Sequence, residues 1–100
     1  MVTRIWHGKT KAKDSDAYLH YIEETGIKDY RSIPGNVSAG ILRRIDDEVC
    51  HFYTITKWDN MESIIKFAGS NYEKARYYPE DEKYLLEFEE SVIHCETFEY

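Results

Sequence analysis

The stretch Thr54–Pro79, TITKWDNMESIIKFAGSNYEKARYYP, decides how the chain folds. It opens on residues suited to a strand, breaks at Asp59-Asn60, continues with helical spacing and closes on Tyr77, Tyr78 and Pro79. Asp59 stands where a helix cap is needed, with Glu62 three positions on, and Met61, Ile64, Ile65 and Ala68 follow on one helix face. Gly69 ends this helix, because glycine takes up the left-handed conformation of a helix terminus without a Cβ penalty. The chain is then free to carry its aromatic cluster elsewhere.

Upstream, Val37 to Ile45 and Glu48 to Trp58 are two β-rich runs joined tightly at Asp46-Asp47, which predicts a hairpin. Val2 to Thr10 reads as the first strand, with Val2, Arg4 and Trp6 on one face and Thr3, Ile5 and His7 on the other. From Asp14 the period changes. Asp14 caps, Asp16 suits the positive end of a helix dipole, Tyr18, Tyr21, Ile22 and Thr25 line one face, and Gly26 stops the helix. The run IKDYRSIPGN that follows reads as irregular, with a turn at Pro34-Gly35.

Downstream of Gly69, a second helical piece is expected around Tyr72 to Arg76, and the last strand at Val92 to Phe98. Between them the acidic run PEDEKYLLEFEE reads as a solvated connection. The order βαββαβ predicts an α+β, ferredoxin-like antiparallel sheet with helices on one face. The first strand then lies between the third and fourth, so Cys50 and Cys95 are two strand spacings apart, roughly 10 Å, too far for a disulfide. Both are expected as small buried side chains.

In the third strand His51, Tyr53 and Ile55 point one way, while Cys50, Phe52 and Trp58 point the other. Neither face is plainly polar, and the helices can cover only one. A second copy of the chain is the simplest cover for the other, which predicts a homodimer whose sheets pack into a barrel.

One hundred residues suit a single domain spanning 1–100. A net charge of -6, with 32% charged residues, gives an acidic surface that repels phosphate backbones and anionic membranes, so neither nucleic acid nor membrane is expected as a partner. No apolar run approaches the roughly 20 residues of a membrane span, and no basic segment leads into an apolar one, which points to the cytoplasm. The cysteines form no CxxC and the histidines (His7, His20, His51, His94) no HExxH, so no metal is expected. Without GxGxxG or GxxxxGK[ST], no nucleotide or flavin cofactor is expected either.

The strand ending in Trp58-Asp59, the short helix Met61 to Ala68, and Ala75 ahead of Tyr77-Tyr78 resemble the antibiotic-biosynthesis-monooxygenase family of dimeric α/β barrels. The opening VTRIWHGKT and the ending FEESVIHCETFEY are also similar to members of that family. The resemblance implies the same dimeric assembly. Its haem-degrading members are held to carry an aromatic in the second helix and an axial histidine further on. Phe67 and Tyr77 fall at or near those positions, so that histidine is missing, although tyrosinate can ligate haem iron. Its cofactor-independent members are thought to oxidise phenols or quinols with molecular oxygen.

A pocket between sheet and helices is the default ligand site, and it suits a small apolar or aromatic ligand. Its candidate lining is Trp6, Arg43, Tyr53, Trp58, Phe67 and Tyr78, with His94, His7 and Tyr77 as candidate catalytic residues. An imidazole titrates near neutral pH and can take a phenolic proton, while Arg43 and Tyr77 would steady the oxyanion. Each has a second reading: Trp58 as a packing anchor, Tyr77 and Tyr78 as a loop pin, and the histidines as strand residues bonded to neighbours. A non-catalytic binding module and a haem protein are the alternatives to an oxygenase.

Overall fold

The central strand is the one the chain begins with. The computed structural model describes residues 1–100, as β1 (Val2–Lys11), a 3₁₀ turn (Ala12–Asp14), α1 (Ser15–Ile22), a π-helical turn (Glu23–Ile27), α2 (Lys28–Ser32), β2 (Asn36–Asp46), β3 (Val49–Trp58), α3 (Met61–Ala68), α4 (Asp81–Tyr84) and β4 (Ile93–Glu96). The strands lie in the order β2-β3-β1-β4, all antiparallel, which is the ferredoxin-like arrangement expected from the sequence. No helix is long and apolar enough to cross a membrane.

The hairpin closes at Asp46 and Val49, so its tight loop is Asp47-Glu48, with Asp47 at φ 60. Aspartate tolerates that left-handed conformation better than most residues. The cap of α3 is Asn60 rather than Asp59. Asn60 Oδ1 accepts the Ser63 N–H at 3.0 Å, while Asp59 Oδ1 accepts the Ser63 hydroxyl at 2.7 Å. The Pro34-Gly35 turn packs directly on this cap. Gly35 sits at φ +96, and a Cβ on it would lie 2.1 Å from Ser63 Oγ.

Gly26 does not stop the first helix, and the run after it is not irregular. Helical backbone continues through the π turn to Ser32. The reason lies in the packing of Tyr18, Ile22, Gly26 and Tyr30, all buried at four-residue intervals. At about 100° per residue, a plain α-helix would carry Tyr30 roughly 120° away from the face of Tyr18. The wider π turn takes up that angle. Gly26 lies against the Tyr30 ring there, where an added Cβ would touch the Tyr30 hydroxyl at 3.4 Å.

Two further expectations are corrected. Tyr72 to Arg76 is not helical, because it pairs with the chain ahead of β4: the Ala75 N–H donates to Glu90 O at 2.8 Å and the Val92 N–H to Glu73 O at 2.9 Å. The acidic run is not a solvated connection. It forms α4, buries Asp81 and Leu85, and lies along β1 through the Leu86 N–H to Lys9 O bond of 2.9 Å. That edge being occupied, β4 pairs only with Val2–Ile5 and is shorter than expected.

Alternation along β3 buries Cys50, Phe52, Thr54, Thr56 and Trp58 beneath the helices. The opposite face of the sheet carries His7, His51, Tyr53, Ile55, Leu42 and Ile93, and no element of the chain spans it. Leu42 is 58% and Ile93 61% exposed there. Cys95, in register with Thr3, is exposed as well, which corrects the expectation that both cysteines are buried. Both thiols are free.

Candidate functional site

The sheet and the helices meet at a cleft walled by Trp6 of β1, Tyr18 of α1, Gly26 of the π turn, Tyr30 of α2, Thr54 of β3, and Arg76, Tyr78 and Asp81 from the segment after α3. Its cavity volume is about 20 Å³, the room of a single water molecule. The helices therefore do not cover the sheet loosely. The Trp6 indole and the Tyr30 ring form part of its walls.

Asp81 is the polar centre of the cleft. Its residue is 4% exposed. The Tyr18 hydroxyl donates to Oδ1 at 2.8 Å and the Tyr78 N–H donates to Oδ2 at 2.6 Å. No cationic side chain pairs with it. Burial pushes its pKa up from 3.8, while the two hydrogen bonds pull the other way. Burial and Asp81 together push the Tyr18 phenol far up.

At the mouth, the Tyr78 hydroxyl donates to Asp29 Oδ2 at 2.7 Å, and Arg76 lies 3.5 Å from the same carboxylate oxygen. Arg76 also donates to Phe67 O at 3.0 Å and stacks over the Phe67 ring, 5.1 Å from its centre. Burial and the bond to Asp29 raise the Tyr78 phenol.

Beneath this lies a buried cation with no carboxylate partner. Arg4 is 4% exposed, and its Nη1 donates to Tyr72 O at 2.5 Å and its Nη2 to Lys74 O at 3.3 Å. Nη1 is also 3.0 Å from His94 Nε2. A guanidinium only donates, so Nε2 is the acceptor and the imidazole is neutral. Burial, then the charge of Arg4, lowers the His94 pKa from 6.5.

Of the residues singled out from the sequence, Trp6 and Tyr78 line the cleft. Tyr77 packs edge-on against Trp6 at 6.3 Å, and its hydroxyl donates to Glu89 O at 2.5 Å. Trp58 is wholly buried, donates to Thr56 Oγ1 at 2.9 Å and packs on Phe67 at 5.8 Å, so both are core residues. Arg43 pairs with Asp16 at 2.8 Å, away from the cleft. His94 has its Nε2 lone pair engaged by Arg4. His7 and Tyr53 stand on the opposite face of the sheet, because β1 alternates and Trp6 takes the helix side.

On that opposite face His7 bridges Glu89, through Nδ1, and His51, through Nε2 at 2.9 Å to Nδ1. The two imidazoles stack at 5.2 Å, with the Tyr53 ring 4.9 Å from His7. The Trp6 Nε1–H is the one buried side-chain polar atom without a partner. Tyr18, Tyr30, Arg76 and Asp81 were not singled out. Tyr18 had a signal in its helix face. Asp81 had none, since its burial depends on Tyr18, far away in sequence.

No protein-family model matches the sequence, and no curated protein does. Solved structures do match. A protein of Nitrosomonas europaea assigned as an antibiotic biosynthesis monooxygenase superposes with a TM-score of 0.68 at 13% identity, over 99% of this chain and 100% of the other. A Bacillus cereus protein of the same assignment gives 0.69 at 12% identity, over 100% and 95%. The chain has the fold of these proteins. The heme-degrader MhuD of Mycobacterium tuberculosis, solved with two hemes in its active site, shares it at a TM-score of 0.59 and 17% identity, over 97% and 95%. At such identities the likeness is one of fold, and it matches the resemblance drawn from Trp58-Asp59 and the helix after it.

Proposed function

We propose that the protein is a cofactor-independent monooxygenase of a small phenolic or quinol-type compound, acting in the cytoplasm as a homodimer. The observation that carries this reading is an aromatic-walled cleft that holds a buried carboxylate, Asp81, which forms no ion pair. A quinol-type substrate supplies two electrons itself, so one atom of molecular oxygen enters the product and the other leaves as water. The chain then has to bind the ring, accept a hydroxyl proton and exclude solvent. Trp6, Tyr18, Tyr30 and Tyr78 provide the walls. The exposed Leu42 and Ile93 around Tyr53 on the uncovered sheet face support the homodimer.

Haem does not fit the donors present. The cleft contains no histidine or cysteine, and the hydroxyls of Tyr18 and Tyr78 are committed to carboxylates that keep them protonated. A non-catalytic binding protein is the second reading, favoured by phenols of Tyr18 and Tyr78 that are committed to carboxylates and by a His94 lone pair engaged by Arg4. Oxygen consumption across hydroquinones and polyphenols, with chelators present and flavin absent, tests the choice. Uptake above background supports the oxygenase. Ligands that raise the melting temperature without being consumed replace it by the binding protein.

A further inference from the structure

We infer that Glu89, His7 and His51 form a proton relay on the uncovered face of the sheet, and that its open end, His51 Nε2, takes the hydroxyl proton of an acidic phenol. This site lies across the sheet from the cleft and stands whether or not the cleft holds a ligand.

The polarity of the chain follows from its hydrogen bonds. A carboxylate only accepts, so Glu89 takes the proton on His7 Nδ1. The other nitrogen of a neutral His7, Nε2, is then an acceptor, and His51 Nδ1, 2.9 Å from it, is the donor. His51 keeps a lone pair on Nε2 that no group of the protein claims. In His94 the lone pair on Nε2 already accepts from Arg4.

In the transfer the ligand O–H bond breaks and an N–H bond forms at His51 Nε2, while the electron pair stays on the ligand oxygen. The proton on His51 Nδ1 crosses to His7 Nε2, so the positive charge comes to rest on His7, against Glu89. The His7 and Glu89 side chains are 24% and 37% exposed, which leaves this pair partly shielded from water.

The phenolate so formed meets cations. Strand register places Lys9 of β1 and Arg44 of β2 on either side of His51 on the same face, with Lys11 diagonal to it. Their acids are at long range, Glu87 3.3 Å from Lys9 and Asp46 3.5 Å from Arg44. A bed for the ring lies alongside: Tyr53, two residues along β3 and 4.9 Å from His7, stands in register with the exposed Leu42. An aromatic ring with an acidic hydroxyl matches this sequence of apolar surface, base and cations, whereas its methyl ether has no proton to give.

The test adds meta-nitrophenol, whose anion is yellow, to histidine-labelled protein at neutral pH, where the free compound is mostly in its acid form. In the free protein, nitrogen NMR is expected to show both His7 and His51 protonated on Nδ1. On addition, the yellow band is expected to appear together with a proton on His51 Nε2. His51→Gln is expected to lose the band. Glu89→Gln, which keeps a hydrogen bond to His7 without the charge, is expected to weaken it about 10-fold. Should either variant unfold, the tautomers of the wild type decide alone. A His51 protonated on Nε2 in the free protein would overturn the relay, as would a band that survives His51→Gln or the absence of a band with the wild type.

Discussion

Arg4 and His94 are joined across β1 and β4 by a 3.0 Å contact that makes a buried arginine the donor and a histidine the acceptor. His94 is therefore held neutral, by burial first and by the Arg4 charge second. Because its folded pKa lies below 6.5, the unfolded chain binds more protons between that lowered value and 6.5. This histidine's share of the stability is complete above pH 6.5 and is lost as the pH falls through the window beneath it. Thermal melts of wild type and His94→Gln between about pH 5 and 8, where imidazoles titrate, are expected to converge as the pH drops. Parallel curves would refute the locked neutral form.

The cap of α3 gives a second expectation. Asn60→Ala removes the acceptor for the Ser63 N–H and is expected to cost about 1 kcal/mol, against less for Asp59→Ala. Gly35→Ala is expected to be worse, because a left-handed residue with a Cβ costs about 1–2 kcal/mol before the clash with Ser63 is counted. Chemical denaturation of the three variants ranks them.

The dimer is testable without touching the monomer's interior. Leu42 is already exposed in the single chain, so Leu42→Lys is expected to leave the monomer's fold and stability within about 0.5 kcal/mol, as for other surface changes. If the uncovered face joins two copies, over an interface of at least about 1,000 Å², the same change moves light scattering toward the monomer mass. An unaltered mass across a dilution series would place any association elsewhere.

Haem titration is expected to give no histidine-ligated Soret band, since the cleft presents only Asp81, threonine and tied phenols as donors. Sharp bands abolished by replacing His7, His51 or His94 would reverse this.

The sheet was legible because β3 alternates without interruption from Val49 to Trp58, and because its two flanking turns carry Asp and Asn. What sequence could not give was the partner of each polar side chain. Asp59 and Asn60 both look like caps, and only the backbone angle at Asn60 decides between them. Gly26 looks like a helix end, yet the helical backbone runs through it to Ser32. Among the acids between Glu80 and Glu90, Asp81 alone meets Tyr18, a contact set by tertiary packing. The candidate histidines failed as cleft residues for a similar reason: parity puts His7 opposite Trp6, and Arg4 claims His94.

The π turn at Glu23–Ile27 forms one wall of the cleft through Thr25 and Gly26. A wide turn of this kind interrupts the regular i→i+4 hydrogen-bond ladder of the α-helix on either side. Its amide protons are therefore expected to exchange with solvent ahead of those in β1 and β3 opposite. Winding it back by one residue would swing Tyr30 off the face it shares with Tyr18.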